Sequence, residues 1–199
     1  HIQHSKLTSR VSRRDAYDLT MSPALVCDGF TDRFFMRLQH DRPLEKHDSI
    51  EEYIQTLSGR LDGFEQSTTT VDDQQATVFH DRSLPISTFG LVDTVFVVGT
   101  AETASQAQAF SEASFNYGLS LKSKLPRIGG NLVVYPVIVS ETGLIDWVQQ
   151  YDPKHWSSFE FPVIIDPTEG TVDYYESTPL WGIIYYKGFR ETAETILKP

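Results

Sequence analysis

Three His-Asp dipeptides, His40-Asp41, His47-Asp48 and His80-Asp81, bring together two residue types that hold divalent metals in phosphohydrolases. Neighbouring residues point apart on a helix and to opposite faces on a strand, so one dipeptide cannot chelate alone. The first two pairs flank Pro43, and the third ends a strand-like run. They read as solvated loop ends, with Asp48 as a helix cap, and no metal site is assigned. A second group of acids, Glu160, Asp166, Asp173 and Glu176, surrounds an aromatic segment near the C-terminus. Glu160 lies between Phe159 and Phe161, so on a strand it faces away from both. Buried, it would be a candidate acid or base; the expected outcome is an exposed acid on an edge strand. Asp166 opens Asp166-Pro167-Thr168-Glu169-Gly170 and reads as a turn former. Glu160, Asp166 and His80 are therefore weak catalytic candidates, and the expectation leans away from an enzyme.

Aromatic residues make a second constellation. His155, Trp156, Tyr174, Tyr175, Trp181 and Tyr185, with Tyr117 upstream, offer stacking area and polar tips. Core packing is the plain reading. A surplus at the surface would make a partner or ligand surface. Lys122, Lys124 and Arg127 stand beside Gly129-Gly130, but these glycines follow a helix and enter a strand. A phosphate loop needs the opposite order, glycines leading into a helix N-terminus. No Gly-x-Ser-x-Gly elbow, dinucleotide fingerprint or Walker lysine occurs, and no cofactor is expected.

The elements that must position these residues follow from apolar spacing. Ile50, Ile54, Leu57 and Leu61 repeat at helical intervals behind Asp48, with Glu51 placed as in a capping box, and the helix should end near Gly59 to Gly63. A hairpin is expected near residues 67–80 around Asp72-Asp73-Gln74. Residues 93–99 and 132–139 read as apolar strands covered on both faces. Between them, a helix over 101–122, capped by Thr100, should bury Ala107, Phe110, Ser114, Tyr117 and Leu121. Strand, long helix, strand is a parallel βαβ unit. A short helix over 143–150, a hairpin over 159–176, a third strand ending near Tyr186 and a helix over 189–197 complete the pattern. The fold class is thus α/β with an α+β tendency: a mixed sheet, one central parallel unit and antiparallel hairpins on either side. Upstream, Phe30, Phe34 and Leu38 have helical spacing.

Helix, hairpin, strand, helix, strand is also the outline of a restriction-nuclease-like fold. Its chemistry needs an acid on one strand and a Glu-x-Lys pair on the next, to hold a metal and orient water. The strand here, TVFVVG, has neither in its middle, and Asp152-Pro153-Lys154 falls in a loop. An active nuclease is disfavoured; a degenerate relative stays open.

The 199 residues carry a formal net charge of −10, which disfavours nucleic-acid binding by the folded body. Aspartates outnumber glutamates and arginines outnumber lysines, a composition that leans toward a salt-adapted surface. Against this trend, Lys6, Arg10, Arg13 and Arg14 form a basic arm over residues 1–18, expected to be mobile. It is the one part expected to touch a membrane; residues 19–199 should form one domain. The longest apolar run, Leu132 to Val139, is far shorter than the roughly 20 residues of a spanning helix. The opening HIQHSKLTSR lacks the apolar stretch of a signal peptide. The single cysteine, Cys27, suits a reducing cytoplasm and reads as a small buried apolar residue.

These features point first to a non-catalytic α/β domain that binds another protein or its own copy through the aromatic C-terminal third. The alternatives are a divalent-metal-dependent hydrolase or nuclease-like enzyme near His80, Glu160 or Asp166, and the cytosolic domain of a membrane protein, since the chain opens on His1 rather than Met.

Overall fold

The computed structural model describes residues 50–83, 92–122, 131–155, 158–177 and 183–199. The basic arm, the helical pattern at Phe30 to Leu38, Cys27, the first two His-Asp pairs, Lys124, Arg127, Gly129-Gly130, Trp156 and Trp181 lie outside these residues.

Helix α1 (Ile50–Arg60) leads into the hairpin β1 (Glu65–Val71) and β2 (Gln74–Ser83). Strand β3 (Val92–Thr100), helix α2 (Ala104–Leu121) and β4 (Asn131–Val139) follow. Then come the short helix α3 (Ile145–Gln150), β5 (Ser158–Glu160), β6 (Val163–Asp166) and β7 (Thr171–Tyr174). Helix α4 (Ile183–Thr192) ends the chain and widens into a π-helical turn, Ala193–Leu197. The strands form one seven-stranded mixed sheet in the order β1-β2-β3-β4-β6-β7, with β5 also on β4. Strands β3 and β4 are parallel, and the β1–β2 and β6–β7 hairpins are antiparallel. Strands β5 and β6 both run parallel to β4, so the parallel portion is larger than one βαβ unit.

Prolines explain why β5 and β6 are separate. Pro136 sits inside the central strand β4, where a missing N–H would normally break a ladder. Pairing of β4 with β5 ends at Val134, and pairing with β6 resumes at Val137. Pro162 occupies the matching gap on the other side. Both absent donors therefore fall at one interruption, which is bridged by the Phe161 N–H donating to the Val134 carbonyl at 2.9 Å.

The sheet is covered on both faces. Tyr53 and Leu57 of α1, with Leu61 just after it, and Tyr186, Phe189, Ala193, Ile196 and Leu197 at the C-terminus bury Phe96, Tyr135, Phe161 and their neighbours on one side. Ala107, Phe110 and Phe115 of α2, with Leu144 and Val148 around α3, bury Val95, Val97, Val134 and Ile138 on the other. The π turn leaves carbonyls to be satisfied from outside the helix. The Tyr53 hydroxyl donates to the Leu197 carbonyl at 2.7 Å, and Arg60 donates to the Ile196 carbonyl at 3.0 Å and to that of Lys198.

Several expectations need correction. The cap of α2 is Thr103, not Thr100, because Thr103 and Gln106 form a capping box while Thr100 still belongs to β3. The buried stripe of α2 runs through Ser111, Phe115 and Gly118 rather than Tyr117 and Leu121. Gly118 sets that rotation: a Cβ there would stand 2.4 Å from a Val134 methyl, so the helix meets β4 through bare backbone. The buried residues of α1 are Tyr53 and Leu57, while Ile50 and Ile54 are half-buried. The third C-terminal strand does not form, since residues 183–186 open α4. Tyr186, Phe189, Ala193 and Ile196 recur at intervals of three and four, and that stripe extends the helix backward. Among the described residues, no helix is long and apolar enough to cross a membrane.

Candidate functional site

Glu160 answers the sharpest question left by its position between two phenylalanines. Phe159 and Phe161 face the α1 side, and Glu160 faces α2 with its side chain fully buried. It is not the exposed edge acid expected, because β5 lies against β4 and beneath α2. The Ser111 hydroxyl donates to Oε1 at 2.6 Å, and the Tyr151 hydroxyl donates to the same oxygen at 3.2 Å. His155 Nε2 stands 2.5 Å from Oε2. Phe115 stacks on the imidazole with ring centroids 3.6 Å apart, fixing its plane. Burial, followed by the adjacent Glu160 charge, pushes the Tyr151 phenol above its ordinary range. A carboxylate engaged at both oxygens orients its neighbours, and the 30%-exposed His155 side chain is the member that meets water. Chemically, this is an imidazole held by a carboxylate, the geometry of an acid–base pair.

A second buried carboxylate lies on the same face. Asp93, at the start of β3, has a fully buried side chain. Its Oδ1 accepts from Arg82 Nε at 2.7 Å and lies 3.1 Å from His80 Nε2. Arg82 also donates to the Leu121 carbonyl at 2.9 Å, tying β2 to the last turn of α2. Lys122, next along, donates to the buried Ser158 hydroxyl at 3.1 Å. In register, Asp93 and Ser158 both stand opposite Leu132, one on each side, and Glu160 stands opposite Val134. The two carboxylates are thus two strands apart and offset by two residues. With about 4.8 Å between strands and 3.3 Å per residue, they are too far apart to share a metal. Among the described residues, no three His, Cys, Asp or Glu side chains converge on a metal-sized point.

The aromatic residues divide between the faces. Tyr117 is half-buried on α2, and His155 stacks on Phe115 of the same helix. Tyr174 and Tyr175 pack against the opposite core. The sheet therefore separates these two groups, and they line no common pocket. On the α1 side, Tyr135, Phe161, Tyr186 and Phe189 form a sealed ring cluster. Part-exposed rings flank this cluster, among them Tyr174 on Phe161 and Tyr175 on Tyr186, and the most exposed is Tyr185. Tyr185 is 45% exposed and lies on half-buried Phe159 with centroids 4.7 Å apart. Close by in sequence, the Tyr174 hydroxyl donates to Glu194 at 2.9 Å. Asp173, opposite Ile164 on the α2 face of the sheet, is raised above the usual carboxylate range by burial first and then by Glu176, Glu194 and Asp166. Asp166 is the turn former expected, with its Oδ1 accepting from the backbone N–H groups of Thr168 and Glu169 at 2.9 Å.

A cavity of about 330 Å³ opens at the other end of the parallel strands, lined by Ile50, Glu102, Ser140, Glu141, Thr142 and Pro167 among others. It contains none of the catalytic candidates. Sequence reasoning singled out His155 and Glu160 separately without pairing them, and it missed Ser111, Tyr151 and Asp93. Asp93 was the most accessible of these omissions: it is a charged residue at the mouth of a strand otherwise read as continuously apolar. No protein-family model, curated protein or solved structure matches this chain.

Proposed function

We propose that this domain binds another protein, without catalysis, through the aromatic shelf formed by Phe159, Tyr185 and Phe189. The observation carrying this reading is Tyr185: a large ring, 45% exposed, tilted against half-buried Phe159 at the margin of the aromatic core. A rigid aromatic anchored from below gives contact area at low entropic cost. The shelf fits a partner that presents an aromatic or aliphatic anchor. The domain's setting is a reducing, salt-rich cytoplasm, where salt screens its net charge of −10. A melting temperature that climbs through molar KCl supports the salt arm, and a flat curve contradicts it.

The test is a displayed peptide library panned against the domain. Enriched peptides should carry an aromatic or aliphatic anchor. They should lose at least tenfold in affinity against Tyr185→Ser and keep it against Ile145→Ser, a comparably exposed site on α3. Peptides indifferent to Tyr185→Ser would overturn the reading.

One observation favours a second reading, an acid–base enzyme: the His155 imidazole held by buried Glu160. Activated esters and phosphate monoesters, assayed with and without Mn²⁺ or Mg²⁺, address it. Turnover lost in His155→Ala at unchanged melting temperature supports the enzyme; equal rates in both proteins remove it.

A further inference from the structure

Among the described residues, β1 is the last strand of the sheet, pairing through all seven residues with β2 in unbroken register. Glu65, Gln66, Ser67 and Thr68 are all exposed. Consecutive strand residues alternate between faces, so exposure at each of these four positions means that both faces of this segment meet solvent. Sheet edges are normally protected against pairing with another chain by proline, lysine, a bulge or a covering element. The sequence EQSTTTV has no proline and no basic residue, and its register with β2 has no bulge. Threonine and valine are strong strand formers. The opposite edge differs: β7 has four residues and carries Asp173 within the acidic group.

We infer that the free edge of β1 is a self-association surface, pairing antiparallel with β1 of a second copy across a two-fold axis at Thr68. The sequence is self-complementary about that point. Thr68 faces Thr68, Ser67 faces Thr69, Gln66 faces Thr70, and Glu65 faces Val71, so no two like charges stand directly opposite within the strand. Thr–Thr and Ser–Thr pairs across antiparallel strands are favourable, and a two-fold contact of one patch with itself closes at a dimer. Acids stand only at the ends, where Asp62 and Glu65 of one copy approach the Asp72-Asp73 turn of the other. Their repulsion is screened by salt, so the dimer tightens as KCl rises, the reverse of an interface held by ion pairs. Seven paired residues bury less than the roughly 1,200 Å² of a stable interface. The association is therefore a concentration-dependent equilibrium, independent of the aromatic shelf.

Sedimentation velocity from 10 µM to 1 mM protein, in 0.2 M and 2 M KCl, tests it. The wild type should shift from monomer toward dimer with concentration, and further in 2 M KCl. Thr68→Lys and Thr68→Glu each place like charges face to face on the axis; each should remain monomeric alone, and their equimolar mixture should dimerise. Thr68 is exposed, so neither variant should lower the melting temperature appreciably. A wild type that stays monomeric throughout, or dimers indifferent to both substitutions, would overturn the inference. Tyr185→Ser should leave the dimer intact; dimers lost in Tyr185→Ser and kept in Thr68→Lys would move self-association to the shelf and also overturn it.

Discussion

On the α1 face of the sheet, Phe96 stacks on Tyr135 at 4.8 Å, Phe161 and Phe189 meet Tyr135 edge-on, and Tyr186 meets Phe161 edge-on. On the α2 face, contact is made by Phe110 and Phe115 together with the small Ala107, Ser111, Ser114 and Gly118, and both buried carboxylates lie there. The difference follows from residue size. Large rings hold the α1-side helices off the sheet and fill the space with apolar volume. Small residues let α2 come close, so polar strand residues at its margins are sealed from water and must be bonded in place. One face is held by volume, the other by proximity and hydrogen bonds.

Four measurements would break or sharpen that contrast. The largest effect is expected from Phe161→Ala, which removes a ring at the centre of the cluster and should cost about 3–5 kcal/mol by chemical denaturation. A loss under about 1 kcal/mol would mean that the cluster is loosely packed. Glu160→Ala should follow at about 2–4 kcal/mol, because it strands the buried Ser111 hydroxyl and leaves Tyr151 and His155 without their acceptor. Glu160→Gln keeps the shape and one acceptor oxygen, so its loss should be smaller. Gly118→Ala should cost about 1–2 kcal/mol despite alanine's better helix propensity, since its Cβ would drive into Val134. A stabilised Gly118→Ala would show that α2 can move away freely.

The smallest effect is alkaline. Burial pushes the Tyr186 phenol up to about 12, and it raises Tyr53 and Tyr135 as well. An unfolded tyrosine titrates near about 10. The folded protein holds these protons more tightly, so the contribution to stability is complete below pH 10 and is lost as pH rises through 12. Tyr186→Phe should flatten part of that decline. An unchanged slope would show that the Tyr186 phenol meets water freely.

Much of this architecture was legible because the local signals agreed. Strands β3 and β4 are continuous apolar runs, α2 has a long amphipathic span, and the β6–β7 turn spells Asp-Pro-Thr-Glu-Gly. The failures were of two physical kinds. The run Ile183 to Tyr186 is apolar without a period, so strand and helix fit equally well until Ala193 and Ile196 extend the stripe. The Glu160 cluster depends on the chain after α3 bringing His155 onto Phe115, and on Ser111 facing inward through the rotation set by Gly118. Neither contact is local, so spacing alone could not reveal it. Asp72-Asp73 was legible as a turn, but not the positive φ of both residues, 49° and 59°, which matches a type I′ hairpin.

The central claim is that the shelf at Tyr185 is the working surface and the buried polar cluster is scaffold. Backbone amide shifts of the ¹⁵N-labelled domain, followed while a panned peptide is titrated in, test it most directly. Perturbations should concentrate on β5 and α4 around Tyr185. Perturbations centred on His155, Tyr151 and α2, or on the cavity at Glu102 and Glu141, would contradict it.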